Sequence, residues 1–240
     1  MIGIELDFER CRLVRRERAR ILEFDEGSPS SINRFKGEDI YICFSAPAVV
    51  GKLYSGGVSK KIFEEEFGTA FEFRKAGFTK DKSKYTFAGG VEKKVYHSVI
   101  DFLKSLKISR IKRLDFSPFV FHDLIYTFNF AAKYKDFLAL SFNNKYVYYM
   151  VCKGGLVWLT SSMESEDAME AVPELVKTFF EEGINTFLIT GDYSKDLPNE
   201  LRQLGDDAEI EILNPFSEFT IITPKEVRQA TFSLALGVTL

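Results

Sequence analysis

The chain has 240 residues, enough at about 150 per domain for one large domain or two small ones. With 45% hydrophobic and 28% charged residues, it falls outside the disordered, collagen-like and low-complexity classes. The net charge of −3 conceals a division: residues 1–120 hold 23 Lys and Arg against 17 Asp and Glu, and residues 121–240 hold 9 against 18.

In chain order, Ile2–Phe8 alternates apolar and polar residues as a half-buried strand should. Strands are expected again over 11–15 and 18–24, with a break at Gly27-Ser28-Pro29-Ser30-Ser31. A buried strand over Ile40–Ser45 and an extended Val49–Tyr54 follow. A short helix is read over 59–68, then strands over 71–78 and 84–88. Apolar residues at 91, 95, 99, 102, 103 and 106 mark a helix, followed by a strand over 110–116 and a helix started by Pro118. Three strands (137–142, 145–151, 155–161) lead into a long helix over Glu164–Glu182 with an acidic first turn. The chain closes with a strand over Ile184–Thr190, a helix over 195–204, a strand over 209–213 and a helix over 225–236. A three-strand meander followed by helical crossovers thus occurs twice, the pattern of a duplicated α/β fold.

The longest unbroken apolar run, Tyr146–Cys152, is far short of the roughly 20 residues that span a bilayer. No basic segment precedes an apolar one at the N-terminus, so no signal peptide is read there. Cys11, Cys43 and Cys152 are widely spaced inside strand-like segments, as buried reduced thiols of a cytosolic chain would be. His97 and His122 have no second ligand at metal spacing, so neither zinc nor a nucleophile–histidine pair is expected. Gly56-Gly57, Gly89-Gly90 and Gly154-Gly155 read as turns, and Trp158 as a core residue. Glu5, Asp7 and Asp115 could form a carboxylate cluster, but Asp115 reads more simply as a cap for the helix at Pro118.

Arg10, Arg12, Arg15, Arg16, Arg18 and Arg20 crowd one hairpin, and Lys104, Lys107, Arg110, Lys112 and Arg113 form a second basic cluster. An overall pI near 5.6 argues against nucleic acid, and anionic lipid headgroups or an acidic protein partner suit the two clusters better. Phenylalanine occurs 24 times, and Phe8, Phe63, Phe67, Phe71 and Phe73 could line a groove for a partner peptide.

The duplicated layout is similar to the actin-like (ASKHA, ribonuclease H-like) fold with two lobes. Within it the chain resembles the PilM family of type IV pilus assembly and its relative, the cytoplasmic domain of the type II secretion protein GspL. Gly3-Ile4-Glu5-Leu6 stands where PilM-like proteins open with Gly-Ile-Asp-Ile-Gly, and Phe102–Phe119 resembles their helix–strand–helix crossover. Ile189-Thr190-Gly191-Asp192 with Leu197-Pro198 resembles the adenosine-side loop; Asn214-Pro215-Phe216 and Ala230–Gly237 resemble the last strand exit and last helix. The resemblance implies an N-terminal lobe over 1–130, with an inserted subdomain near 46–92, and a C-terminal lobe over 131–240. One lobe would then be basic and the other acidic.

Nucleotide-binding members use two glycine-rich hairpins, each with a carboxylate for hydrated Mg²⁺. Here the first reads Glu5-Leu6-Asp7-Phe8-Glu9-Arg10, with Asp7 for the glycine and Phe8 and Glu9 for small hydroxyl residues. In the second, Ser141-Phe142-Asn143 replaces Asp-x-Gly, and on the adenosine side the paired glycines are reduced to Gly191-Asp192. The resemblance with these departures implies a scaffold without ATP, Mg²⁺ or catalytic residues, cytoplasmic and at or tethered to the inner membrane, with a membrane span following Leu240 in a GspL-like form. PilM-type relatives receive a peptide of the bitopic membrane protein PilN in the groove between subdomains, and GspL-type relatives dock the secretion ATPase. A homodimer is a further expectation. Arg12, Arg15, Arg16, Arg18, Phe63, Phe67 and Phe71 are the partner-binding candidates. The alternative is an ATP-dependent small-molecule kinase or ATPase of the same fold.

Overall fold

The computed structural model describes the chain except Ser109, Asn144, 204–206 and 223–228, and only the backbone of 165–170 and 229–230. The start of the expected helix over 225–236 and the acidic first turn of the long helix therefore lie outside the described residues and side chains.

Strands β1 (Ile2–Leu6), β2 (Cys11–Glu17) and β3 (Arg20–Gly27) form an antiparallel meander, and β1 also runs parallel to β4 (Ile40–Phe44). Between β3 and β4 lies a short 3-10 helix, Pro29–Phe35. Paired on both sides, β1 is buried along its whole length, where alternation predicts a half-buried strand. Next come β5 (Val49–Ser55), α1 (Lys60–Phe67), β6 (Phe71–Lys80), β7 (Ser83–Glu92) and α2 (Lys93–Ser105). Then β8 (Ile111–Phe116) joins β4 in parallel, and α3 (Ser117–Thr127) starts with Pro118 in its first turn, where a missing N–H costs nothing.

The second unit repeats the plan. After α4 (Phe130–Tyr134), the meander β9 (Phe137–Phe142), β10 (Tyr146–Lys153) and β11 (Leu156–Glu164) leads to α5 (Ser165–Glu181). Strand β12 (Thr186–Gly191) is parallel to β9, and after α6 (Leu197–Arg202) β13 (Glu209–Ile212) is parallel to β12. A 3-10 turn at Pro215–Glu218 leads to the two-residue strand β14 (Thr220–Ile221) against β3, and α7 (Ser233–Gly237) ends the chain.

Two sheets result, β14-β3-β2-β1-β4-β8 and β13-β12-β9-β10-β11-β5-β7-β6. The segment 49–92 thus continues the sheet of the second unit, through pairs such as Thr160 with Gly51. Helix α3 is clasped between the sheets, with Val120, Phe121, Leu124 and Ile125 buried against Ala139, Tyr148, Met150 and Leu234. Helix α7 lies on β1, and only glycine fits at position 3: a Cβ there would stand 1.9 Å from the Ala235 carbonyl oxygen. Helix α2 covers the outer face of the first sheet, α5 that of the second, and α1 packs on one face of β5–β7–β6.

Candidate functional site

The hairpin tips of the two units, between β1 and β2 and between β9 and β10, meet. In the first turn Asp7 accepts N–H bonds from Glu9 and Arg10, both at 2.7 Å, so its carboxylate serves its own hairpin. Asn143 closes the second turn by accepting from the Lys145 N–H at 3.1 Å. Across the gap Lys145 pairs with Glu9, and the Asn143 amide donates to Glu5. Phe8 turns away, edge-on to Phe44 and Phe102 with ring centroids 5.2 and 5.1 Å apart. Gly191, at φ +87°, ends β12 so close to β9 that a Cβ would lie 2.0 Å from the Phe142 carbonyl oxygen. Asp192 follows directly, and its N–H donates to that same carbonyl at 2.8 Å.

The crevice between the tips is filled by Arg12. Its guanidinium is 2% exposed and reaches Asp192 at 2.8 Å, Glu26 at 3.3 Å and Glu5 at 3.8 Å, and donates to the Thr231 carbonyl at 3.4 Å. Burial works against this charge, but Glu5, Asp192 and Glu26 together outweigh it. Beside Glu5, Asp7, Arg10 and Asn143 no room is left even for a water molecule, against the roughly 300–1,000 Å³ of ligand pockets. Among the described residues no group of three or more His, Cys, Asp or Glu is placed to hold a metal ion.

Burial pushes the Glu5 carboxyl above its ordinary range, while Arg12, Asn143 and Ser45 oppose the shift only in part. A carboxyl raised in the folded state contributes stability that is complete below its unfolded pKa and lost as pH rises through the folded one. Glu5→Gln does not titrate, so its stability relative to the parent is expected to improve as pH climbs from about 4.5. Urea titrations at several pH values check this, and a difference that is flat or falls with pH would show that burial does not govern Glu5.

A second feature lies on the other face of β5–β7–β6, away from α1. Three adjoining hollows of about 320, 350 and 400 Å³ form a trough between this sheet and α3. The first two share Arg74, Gly89, Asp115 and Phe119; the last two share Ala76, Phe87 and His122. Helix α3 is apolar nearly all round yet presents Phe119, His122 and Tyr126, one stripe at helical spacing, to the trough. His122 stacks between Phe87 and Tyr126, with centroids 4.5 and 4.9 Å away. Arg113 bridges Asp115 at 3.0 Å and Asp123 at 2.6 Å. Burial opposes the Asp123 charge, but His122 and Arg113 outweigh it and hold that carboxyl below its ordinary range.

The candidates read from sequence are distributed differently. Glu5, Asp7, Asn143, Gly191 and Asp192 do converge at the crevice, with Arg12 among them, whereas Ser141 is buried within β9. Arg12 is therefore an internal group and not a docking residue. Arg15 pairs with Glu38, Arg16 binds Thr239 and lies over Phe219, and Arg18, at the β2–β3 turn, is exposed. Phe63 and Phe67 of α1 pack on Phe71, Phe63 and Phe71 both buried, on the opposite face of the hairpin from the trough. Asp115 accepts from the N–H of Phe116 at 3.0 Å and pairs with Arg113, so it does not cap the first turn of α3. Trp158 is 46% exposed, contrary to its reading as core. Gly89 and Gly90 lie inside β7, where Cβ atoms would strike the rings of Phe119 and Phe71, and so form no turn. A glycine pair within a strand pattern was the available signal for such close approach.

No family model and no curated relative matches the sequence. Solved structures do match. A PilM–PilN type IV pilus biogenesis complex aligns over 99% of this chain and 96% of its own, with TM-score 0.68 and 13% identity. The cytoplasmic domain of EpsL, an inner-membrane component of the Vibrio cholerae type II secretion system, aligns over 99% and 93%, at TM-score 0.58 and 10% identity. A Bacteroides thetaiotaomicron protein with an actin-like ATPase fold and unknown function aligns over 100% and 95%, at TM-score 0.56 and 12% identity. The chain therefore has the actin-like fold, built in two sheets. In architecture it is similar to PilM and to cytoplasmic EpsL across nearly its whole length.

Proposed function

We propose that this chain is a non-enzymatic scaffold: an actin-like component on the cytoplasmic side of an inner-membrane type IV pilus or type II secretion assembly. It docks a segment of a membrane protein of the PilN kind, or the assembly ATPase, and its nucleotide site is degenerate. The observation that carries this reading is Arg12. Arg12, with Arg10 beside it, pairs with Glu5, Glu26 and Asp192 in the crevice between the hairpin tips, where this reading would put a phosphate and its Mg²⁺. The trough beside α3 supports the docking role, because its aromatic lining is the composition of interface anchors. The architectures of the PilM–PilN complex and of EpsL support the choice of machine. Among the described residues no helix is long and apolar enough to cross a membrane.

Mg-ATP at millimolar concentration is expected to leave the melting temperature unchanged. A ligand at 100 times its dissociation constant would add about 2.7 kcal/mol, a shift of roughly 5–10 °C for a chain of this size. A shift of that order would favour the kinase or ATPase alternative.

A further inference from the structure

We infer that the end of the first sheet opposite the hairpin tips binds an anionic phospholipid surface directly, through cations that the fold gathers there from distant stretches of the chain. This adds a contact to the scaffold reading above and rests on its placement at a membrane. Hydrogen bonds fix what lies at this end. The Arg16 N–H donates to the Met1 carbonyl at 2.9 Å, the Thr220 N–H to the Ala19 carbonyl at 2.8 Å, and the Ile40 N–H to the Arg110 carbonyl at 3.0 Å. The β2–β3 turn and the first residues of β1, β4, β8 and β14 therefore share one end, with Ile2 opposite Arg15 and Ile40, and Ile40 opposite Ile111. The Arg110 guanidinium donates to the Gly37 carbonyl at 2.8 Å, which brings in the loop before β4. The two basic clusters, far apart in sequence, thus become neighbours: β2 and β8 lie three strand spacings apart, about 14 Å.

Charge does not cancel at this end. Arg15 pairs with Glu38 at 3.3 Å, and Arg110 and Lys112 share Asp39 at 2.8 and 3.9 Å. Arg16 donates to the Thr239 hydroxyl. Among the described residues Arg18, Arg20, Lys36 and Lys107 are exposed and have no carboxylate partner. Against them stand Glu17 and, counting the turn before β14, Glu218, so eight cations meet four carboxylates. At the opposite end Arg10, Arg12 and Lys145 meet Glu5, Asp7, Glu9, Glu26 and Asp192, so the two ends of the sheet differ in sign.

Lipid is the occupant that suits the shape. None of the hollows described above takes a residue from this end, so no groove stands ready for a protein segment. Met1, Ile111 and Ile222 are exposed among the cations. Basic side chains spread over a blunt face, with single apolar side chains between them, match a bilayer surface. The apolar groups and the arginine and lysine stems enter the headgroup layer while the charges stay at the phosphates.

Vesicle flotation with the whole chain tests this, using phosphatidylcholine vesicles with and without roughly one third phosphatidylglycerol. Binding is expected only to the anionic vesicles. It should be lost when salt is raised from about 0.1 to 1 M, where the screening length falls from about 10 to 3 Å. Arg18→Glu with Lys107→Glu, one change from each cluster, should lower the partition coefficient at least about tenfold. Lys61→Glu with Lys177→Glu, exposed on α1 and α5, should leave it within about twofold, because those charges lie away from the surface. All four changes are at exposed side chains, and an unchanged melting temperature separates lost binding from lost folding. Equal losses in the two double variants would mean that net charge alone drives binding, and would overturn the site. Binding of poly-glutamate but of neither vesicle would assign this end to an acidic protein and overturn the lipid inference, as would no binding at all. The vesicles carry no protein, so each of these failures leaves the docking reading standing.

Discussion

Arg12→Ala is expected to lower the unfolding temperature by about 6–20 °C. The substitution removes the cation that faces Glu5, which is itself only 3% exposed, while Arg10 still pairs with Glu26 and Asp192. Breaking a buried pair by deleting one partner costs about 3–5 kcal/mol, because the remaining charge keeps its desolvation penalty. For a chain of this length each kcal/mol moves the midpoint roughly 2–4 °C. Arg12→Lys should recover little, since an ammonium cannot reach three carboxylates and a carbonyl with one planar fork. Arg12→Met with Glu5→Gln should recover much of the loss, because the site is then left with no unpaired buried charge. The network joins β2 of the first sheet to the residue after β12 in the second, so Arg12→Ala should also speed amide exchange at the end of β12. A midpoint within a few degrees of the parent would mean that Arg12 merely fills the crevice.

Gly191→Ala carries the second large effect, about 2–5 kcal/mol of destabilisation. Part is backbone strain at φ +87°, and part is the collision of a Cβ with the Phe142 carbonyl 2.0 Å away, which must push β12 from β9. The shift also carries Asp192 off Arg12. Gly183 provides an internal control, with the same φ of +87° but nothing within 4 Å of an added Cβ. Gly183→Ala should therefore cost only the conformational part, about 1 kcal/mol. Denaturant unfolding of both variants separates the contributions, and equal losses would show that the close approach of β12 to β9 is unimportant.

Much of the fold was legible in the chain because its signals are local. Period-two alternation and turn residues place the two meanders, and the stripe of apolar residues from 91 to 106 places α2. Residues 5–10 and 141–143 put no glycine at the two hairpin turns, which is read directly from the chain. What alternation misread follows from pairing. Strand β1 has a neighbour on both sides and buries both faces, and Glu5 goes inside with it. Phe71 sits on the hairpin that lines the trough, but Phe63 and Phe67 of α1 cover its face and leave the opposite one open.

The order of elements, the repeated unit and the absence of glycine from the turns at 5–10 and 141–143 were thus determined by the sequence itself, since each depends on residues a few positions apart. Whether an arginine on β2 serves a partner outside or a carboxylate 180 residues away was decided only by the tertiary structure. So was the trough, whose walls come from β6, β8 and α3 and share no sequence pattern. The physical reason is common to both. A buried ion pair and a groove are defined by what long-range packing brings near or leaves uncovered, and periodicity reports only which residues prefer to leave water. The charge division between the halves of the chain illustrates this: the arginines of the β2–β3 hairpin suggested a basic surface, and the fold turns Arg12 inward to hold its two sheets together.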